Sequence, residues 1–473
     1  RCRSASGATP SQVAWHARSD ARPALQRTLG FWQATGVMLG IIIGSGIFAT
    51  PTQIANSLAS PWLILALWVL GGIISLLGAL TFAELASMLP QSGGIYVFLR
   101  EGFGRAGRPL AFIFGWTYLL ISKPTAAAGI SIIFGTHACQ LLHLDPTPTN
   151  TRIVTSAALI SLTVVNILGV AFSANVAAAL TALKVGALAL FAFLGLFAVH
   201  ASPAAFETLP VAEANAKPIL LAIAAAMAGI LWTYDGWADV GALAGEIKNP
   251  ARQIARTFLF GTLLITALYV AANAAFLRVI PLDDMRTTEP VAPLFAERVL
   301  GPAGAFVATA LIVVATFGST HGSIMTGARV SFAQSRDGLL FAFLGTTHRS
   351  LGTPVASLLF QLALSLTALW ALPGFSQMAG GFVFTIWIFY GLAGIALFTL
   401  RRARPDAPRP FRCPGYPLVP ALFVLAAASM TTLAIIEDPA MNLLWVAILA
   451  AGLPVYAIWS RFSPPTTREP AAH

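Results

Sequence analysis

Charge is what this sequence has least of. Its 473 residues include 28 Lys and Arg and 18 Asp and Glu, 10% of the chain, where soluble domains carry about 25%. With 57% hydrophobic residues and a mean hydropathy of +0.78, that scarcity excludes a soluble globular domain. It indicates an all-α, multi-span membrane protein with the lipid bilayer as its surroundings. Cysteine is scarce too. Cys2, Cys139 and Cys413 lie far apart, which excludes a disulfide framework and a metal-ligand spacing. Histidine shows no metal spacing either, and His137, His200 and His321, which fall near apolar stretches, are read as structural. No paired acids, His/Cys cluster or nucleophile–base set occurs at the interrupted spans described below, so neither enzyme chemistry nor a metal or cofactor is expected. The net charge of +10 is divided among loops, so it reports membrane topology and not nucleic-acid binding. Residues 1–28 are polar and Arg-rich without an apolar core, so no cleavable signal peptide is read there.

What the chain does have is apolar runs of membrane-spanning length, about 20 residues each. Bounded by Pro, Gly and charge, they predict twelve transmembrane helices near 31–56, 62–89, 109–137, 151–169, 174–200, 217–242, 255–280, 303–333, 354–373, 377–400, 417–436 and 440–461. With the N-terminus placed in the cytoplasm, 21 of the 28 Lys and Arg fall on the inner side, 5 fall outside, and Lys123 and Lys184 lie within spans. That asymmetry predicts a cytoplasmic membrane protein with both termini cytoplasmic. The expected organisation is a disordered tail (1–30), a first set of five spans (31–200), a second set (217–400), a closing pair (413–462) and a short cytoplasmic tail (463–473).

Two spans carry interruptions. Span 1 contains Gly40, Gly44 and Gly46 within seven residues, followed by Pro51, and each glycine weakens a helix by about 1 kcal/mol relative to alanine. Span 6 holds two acids, in Trp232-Thr233-Tyr234-Asp235-Gly236-Trp237-Ala238-Asp239. Irregular backbone at this depth survives only where protein or a water-filled cavity satisfies it. Spans 1 and 6 each open a set of five, and an odd number of spans per set inverts one set relative to the other. Interrupted helices at matching places in inverted halves point to a transporter's binding site. The half-helix beginning near Gly44, Ser45, Gly46 and Ile47 offers unpaired amides and a positive dipole end to a carboxylate. The half-helices ending near Ile41–Ile43 and Leu231, Trp232 and Thr233 offer unpaired carbonyls to an ammonium group. One anion pole and one cation pole suit a zwitterionic α-amino acid.

These residues resemble the amino acid–polyamine–organocation superfamily and, within it, the L-type amino acid transporter family, over about residues 30–420. The resemblance rests on Gly44-Ser-Gly-Ile-Phe48, Ala83-Glu-Leu85 with Pro90-Gln-Ser-Gly-Gly-Ile-Tyr96, and Lys123-Pro-Thr125. It continues in Trp232-Thr-Tyr-Asp-Gly-Trp237 with Gly245-Glu-Ile-Lys-Asn-Pro250, Phe317-Gly-Ser-Thr-His-Gly-Ser323 with Ser335-Arg-Asp-Gly338, and Arg409-Pro-Phe-Arg412. It implies a LeuT-like fold of 5+5 inverted repeats with discontinuous helices 1 and 6, and alternating access. The activity it implies is sodium-independent exchange of L-amino acids. Animal members pair with a glycoprotein through a cysteine between spans 3 and 4. Cys139 lies at the end of span 3 instead, so no glycoprotein heavy subunit is expected. Ala238-Asp239 departs from the polar amide of many relatives.

Individual residues then acquire candidate roles. The resemblance places an acid at Asp235 in the branch that exchanges cationic and neutral amino acids. It contacts a substrate's side-chain cation or forms an internal pair with Lys123. Asp239 is read as a cap on the resumed helix, where an anion gains about 0.5 kcal/mol from the dipole. Trp232 and Tyr234 flank the gap as gates or as packing, and Lys123 stabilises Asp235 or lines the path. Glu84 is read as part of a gate or loop network. Lys184 lies about 11 residues into span 5, roughly 16 Å along it, where an unpaired charge costs about 3 kcal/mol or more. Sodium-coupled relatives of the fold bind a cation between spans 1, 5 and 8. Lys184 is expected to replace that sodium by donating to the Gly40 carbonyl and to the Ser319 or Ser323 hydroxyl.

Overall fold

The computed structural model describes residues 25–198, 201–208, 218–372, 375–437 and 439–462. The tail at 463–473, most of the tail at 1–30, His200 and Lys217 lie outside them. Among the described residues, eleven helices are long and apolar enough to cross a membrane. Helix is what a lipid-facing chain must form, because it satisfies every backbone N–H and C=O within the segment. The ninth expected stretch folds as the 17-residue helix Val355–Ala371, about 26 Å long against a hydrocarbon core of about 30 Å. Prolines mark several helix starts, where their missing N–H costs nothing. Pro61, Pro148, Pro250 and Pro302 each occupy the first turn.

Span 1 is two helices, Phe31–Ile42 and Gly46–Ser57. Span 6 is Ile219–Tyr234 followed by a tighter 3₁₀ segment, Trp237–Glu246. Span 3 has a third irregularity: a π turn, Tyr118–Ser122, separates Gly107–Thr117 from Lys123–Leu141. Pro124 explains it, since a proline has no N–H to donate and its ring crowds the preceding turn. The widened turn sets Tyr118 and Lys123 in the interior, 4% and 3% exposed.

Spans 2 and 7 pack together, as do spans 3 and 8 and the first half of span 1 with span 5. The span 1–span 5 contact depends on small residues. A Cβ added at Gly36 would stand 2.8 Å from the Ala178 backbone, and one at Gly40 would stand 2.5 Å from Thr181 Oγ1. Thr181 Oγ1 uses that closeness to donate to the Gly36 carbonyl at 2.7 Å. In a membrane, where lipid is as apolar as the helix surface, such close approach takes the place of the hydrophobic effect.

The Arg-rich end of the bundle is tied by buried ion pairs. Arg329 lies inside the helix Pro302–Arg336. It donates from Nε and Nη2 to the two Glu246 oxygens at 2.8 and 3.2 Å, and the partners are 1% and 0% exposed. Glu84, fully buried, accepts from Arg401 Nε and Nη2 at 2.9 and 2.6 Å and from the Cys413 amide at 2.6 Å. That joins span 2 to the end of span 10 and to the segment before span 11. A parallel bridge between Leu29 and Ile247 ties the chain ahead of span 1 to the end of span 6.

Removing one partner of a fully buried pair strands a charge and costs about 3–5 kcal/mol. Arg329→Met should therefore lower the thermal unfolding transition of the detergent-solubilised protein sharply. The Arg329→Met/Glu246→Met double variant should recover most of the loss.

Candidate functional site

The two interruptions face one another across a cavity of ≈ 40 Å³. Span 1 lines it with Ile41, Ile42, Gly44, Ser45 and Gly46, and span 3 with Lys123, Ala126 and Ile130. Span 6 contributes Trp232, Thr233, Asp235 and Asp239, and span 8 contributes Ser319 and Ser323. The break in span 6 depends on glycine. Gly236 has φ +112°, and a Cβ there would also lie 2.6 Å from Ile41 Cγ2.

The break in span 1 leaves carbonyls that no helical turn can satisfy, and three other spans satisfy them. Lys184 Nζ donates to the Gly40 and Ile43 carbonyls at 2.9 Å each. Ser319 Oγ donates to the Ile41 carbonyl at 2.7 Å, and the Tyr269 hydroxyl donates to the Ile42 carbonyl at 2.8 Å. Lys184 is 1% exposed, so its stem delivers the charge to these carbonyls without reaching water. The expected bonds from Lys184 to Ser319 or Ser323 are not formed. Ser319 is drawn to span 1 directly, and Lys184 takes Ile43 as its second acceptor. The carbonyls of Ile41 and Ile43, expected to face a substrate ammonium, each already accept one bond. On the span 6 side, the Trp232 carbonyl accepts from the Asp235 amide at 3.1 Å, and Leu231 is buried away from the cavity at 1% exposure. Thr233 lines the cavity, and its hydroxyl lies 2.9 Å from Thr50 Oγ1.

Beyond the break, the second half of span 1 opens with the amides of Gly46 and Ile47, whose helical position denies them an intrahelical acceptor. Ser45 stands at the cap, 2% exposed, with no side-chain cap bond. The expected carboxylate subsite is thus a backbone feature, held close to span 6. A Cβ at Gly46 would meet Thr233 Oγ1 at 2.6 Å.

The cavity lining is also ionic, with Lys123, Asp235 and Asp239. Asp235 Oδ1 accepts from the Tyr390 hydroxyl at 2.6 Å. Lys123 pairs with Asp239 Oδ2 and not with Asp235. The Tyr118 hydroxyl donates to Asp239 Oδ1 at 3.1 Å, and Thr326 Oγ1 donates to Oδ2 at 3.3 Å. Asp239 is therefore a member of an inter-span network, and the capping role expected of it gives way to that pairing. The reason is geometric. The 3₁₀ segment carries Asp239 around to span 3, where the π turn presents Lys123. Tyr234 is corrected as well. It is 1% exposed, donates to the Trp68 carbonyl at 3.1 Å, and packs on Trp68 and Tyr269. It is a packing residue, whereas Trp232 lines the cavity. His321 is fully buried, with Nε2 2.9 Å from the Ser173 carbonyl and Nδ1 3.1 Å from Asn166 Nδ2. His137 Nδ1 lies 2.9 Å from the Ile133 carbonyl. Both contacts are structural. No cluster of three or more His, Cys, Asp or Glu fit to hold a metal occurs among the described residues.

Sequence reasoning missed Tyr118, Tyr269, Thr326 and Tyr390. An aromatic or hydroxyl side chain in an apolar span carries no local mark of the partner it will meet. For Tyr118 alone a signal existed, since Lys123-Pro124 announces a disturbed turn immediately before it.

A bundle of apolar helices, two of them interrupted around one polar cavity, defines a multi-pass membrane transport protein and not an enzyme. The amino acid permease family model matches residues 29–460, and the chain belongs to that family. It is 30% identical to the mouse b(0,+)-type amino acid transporter 1 over 441 residues, 92% of this chain and 88% of the relative. It is 30% identical to the serine/threonine exchanger SteT of Bacillus subtilis over 437 residues, 91% of this chain and 96% of the relative. To the mouse large neutral amino acids transporter small subunit 2 it is 30% identical over 436 residues, 92% of this chain and 81% of the relative.

Hydrogen bonds from a charged donor are worth about 1.5–3 kcal/mol each, and about 1.4 kcal/mol is tenfold in an equilibrium. Lys184→Ala frees two span 1 carbonyls at once. Amino acid counterflow in proteoliposomes should fall by about tenfold or more on that scale. Unchanged counterflow would remove Lys184 from the transport machinery.

Proposed function

We propose that this chain exchanges L-amino acids, cationic and neutral, across the cytoplasmic membrane by alternating access and without sodium. The observation that carries the reading is the meeting of the two interrupted helices at one cavity. Amides at the start of a half-helix line it, and so does Asp235. The amide end takes the α-carboxylate at Ser45, Gly46 and Ile47. Carbonyls of the facing half-helices at the cavity, those of Ile41, Ile43, Trp232 and Thr233, take the α-ammonium, with the second lone pair of each carbonyl that already accepts one bond. Asp235 meets the side chain, with a charge-assisted bond to the cation of lysine, arginine or ornithine. Trp232 closes over the bound amino acid.

Sodium independence is supported by Lys184. Its ammonium sits among span 1 carbonyls, so the chain itself supplies donors to the oxygens that a bound sodium ion would otherwise coordinate. The cavity is far smaller than the several hundred Å³ that enclose a typical ligand. An amino acid therefore enters only as the half-helices part, which alternating access supplies. In this reading Val355–Ala371 completes a set of twelve spans, arranged as two inverted sets of five, 31–200 and 217–400, followed by 413–462. The concentration of Lys and Arg at one end supports cytoplasmic termini. Function without a heavy subunit is supported by Cys139, which is fully buried and offers no exposed thiol for an intermolecular disulfide.

Counterflow in liposomes tests the reading. Labelled lysine or leucine should enter only when unlabelled amino acid is inside, and replacing sodium with choline should leave the rate unchanged. Uptake independent of internal amino acid and dissipated by a protonophore would assign proton symport instead. Asp235→Asn should lower lysine entry about tenfold relative to leucine entry, the loss of one charge-assisted contact.

A further inference from the structure

The cavity holds three ionisable groups, and they do not divide evenly. Lys123, Asp235 and Asp239 all line it. Lys123 is committed to Asp239, and its ammonium also stands 5.3 Å from the centre of the Tyr118 ring. Asp239 is further held by Tyr118 and Thr326. Asp235 accepts from Tyr390, but among the described residues no cation lies within ion-pair distance of it. One ammonium thus faces two carboxylates. The pairing leaves Asp235, among the described residues, as the carboxyl group of the lining with no cationic partner.

We propose that Asp239 is a specificity-determining residue that acts by holding Lys123 away from Asp235. On this account, the Lys123–Asp239 pair leaves one carboxylate, Asp235, without a built-in cation and so open to the substrate's side chain. It rests on the reading that Asp235 meets that side chain. The physical argument concerns competition at short range. A lysine ammonium on a flexible stem is a mobile point charge, and Asp235 and Asp239 lie four residues apart on one interrupted helix. With Asp239 present, the ammonium has a nearer carboxylate, which the Tyr118 and Thr326 hydroxyls hold in place. Without Asp239, the same ammonium turns to Asp235 and occupies the place of a substrate cation. Without Lys123, both carboxylates stand unpaired and the cavity favours a cation more strongly. Selectivity is a difference between two affinities, so a built-in cation that binds or vacates one subsite changes it without touching the α-carboxylate and α-ammonium subsites.

The test is the ratio of labelled lysine to labelled leucine counterflow in proteoliposomes. Asp239→Asn should lower that ratio by about tenfold, on the scale of one charge-assisted contact. Lys123→Gln, which can still hydrogen-bond Asp239, should raise it. The Lys123→Gln/Asp239→Asn double variant should return it to the wild-type value. A purely structural pair would depress lysine and leucine counterflow together in each single variant, and an unchanged ratio overturns the proposal. Either single variant that folds, judged by thermal unfolding in detergent, decides the matter, because the two shift the ratio in opposite directions. Asp235→Asn separates this inference from the reading beneath it. If that variant keeps its lysine preference, the reading of Asp235 fails. If it loses the preference while Asp239→Asn and Lys123→Gln keep the wild-type ratio, only the present proposal fails.

Discussion

The break in span 1 sets the terms for the rest of this molecule. Interrupting a helix at bilayer depth exposes backbone carbonyls in a medium with no water to solvate them. Here four of them, from Gly40 to Ile43, are taken up by Lys184, Ser319 and Tyr269. Those donors come from spans 5, 8 and 7, so the break gathers three other spans around itself. The close packing of span 1 on span 5 through Gly36 and Gly40 follows from the same need, because a lysine stem reaches its acceptors only if the helices nearly touch. An expensive charge and an expensive backbone defect each remove the other's cost, and what remains is a helix terminus whose amides face a cavity.

The second interruption uses a different device. Span 6 ends at Tyr234, turns through Gly236 in a conformation that glycine alone adopts comfortably, and resumes as a 3₁₀ segment. The tighter winding and the π turn of span 3 together decide which acid meets Lys123. The result separates two carboxylates only four residues apart. Asp239 is locked into an ion pair between spans, and Asp235 is left with a phenol. A polar network in a span is normally a stability problem. Here its composition also defines the electrostatic character of the cavity.

Much of this is legible in the sequence. Lys184, Asp235 and Asp239 stand out because a charge inside an apolar run has no bland explanation, and Gly40, Gly44, Gly46 and Gly236 mark where the helices break. Partner choice is not legible. Lys184 bonds Ile43 and not the span 8 hydroxyls, Lys123 selects Asp239 over Asp235, and Tyr234, open to a gate or a packing place, packs with Trp68 and Tyr269. Each case concerns which of two nearby groups a side chain reaches. That depends on a helix rotation of a few tens of degrees, which residue spacing does not specify.

The sequence by itself determined the apolar spans, the positions of the two interruptions and the presence of charges that could not remain unpaired. All of these are consequences of composition along one dimension, where the cost of burying a charge or weakening a helix is local. Only the tertiary structure decided who satisfies whom, that Tyr118, Tyr269, Thr326 and Tyr390 join the site, and that one acid is paired while the other faces the cavity. Those outcomes come from contacts between residues far apart in the chain, 87 to 227 positions for these four. Their geometry is fixed by how the spans pack around the breaks and not by any feature of the spans taken singly.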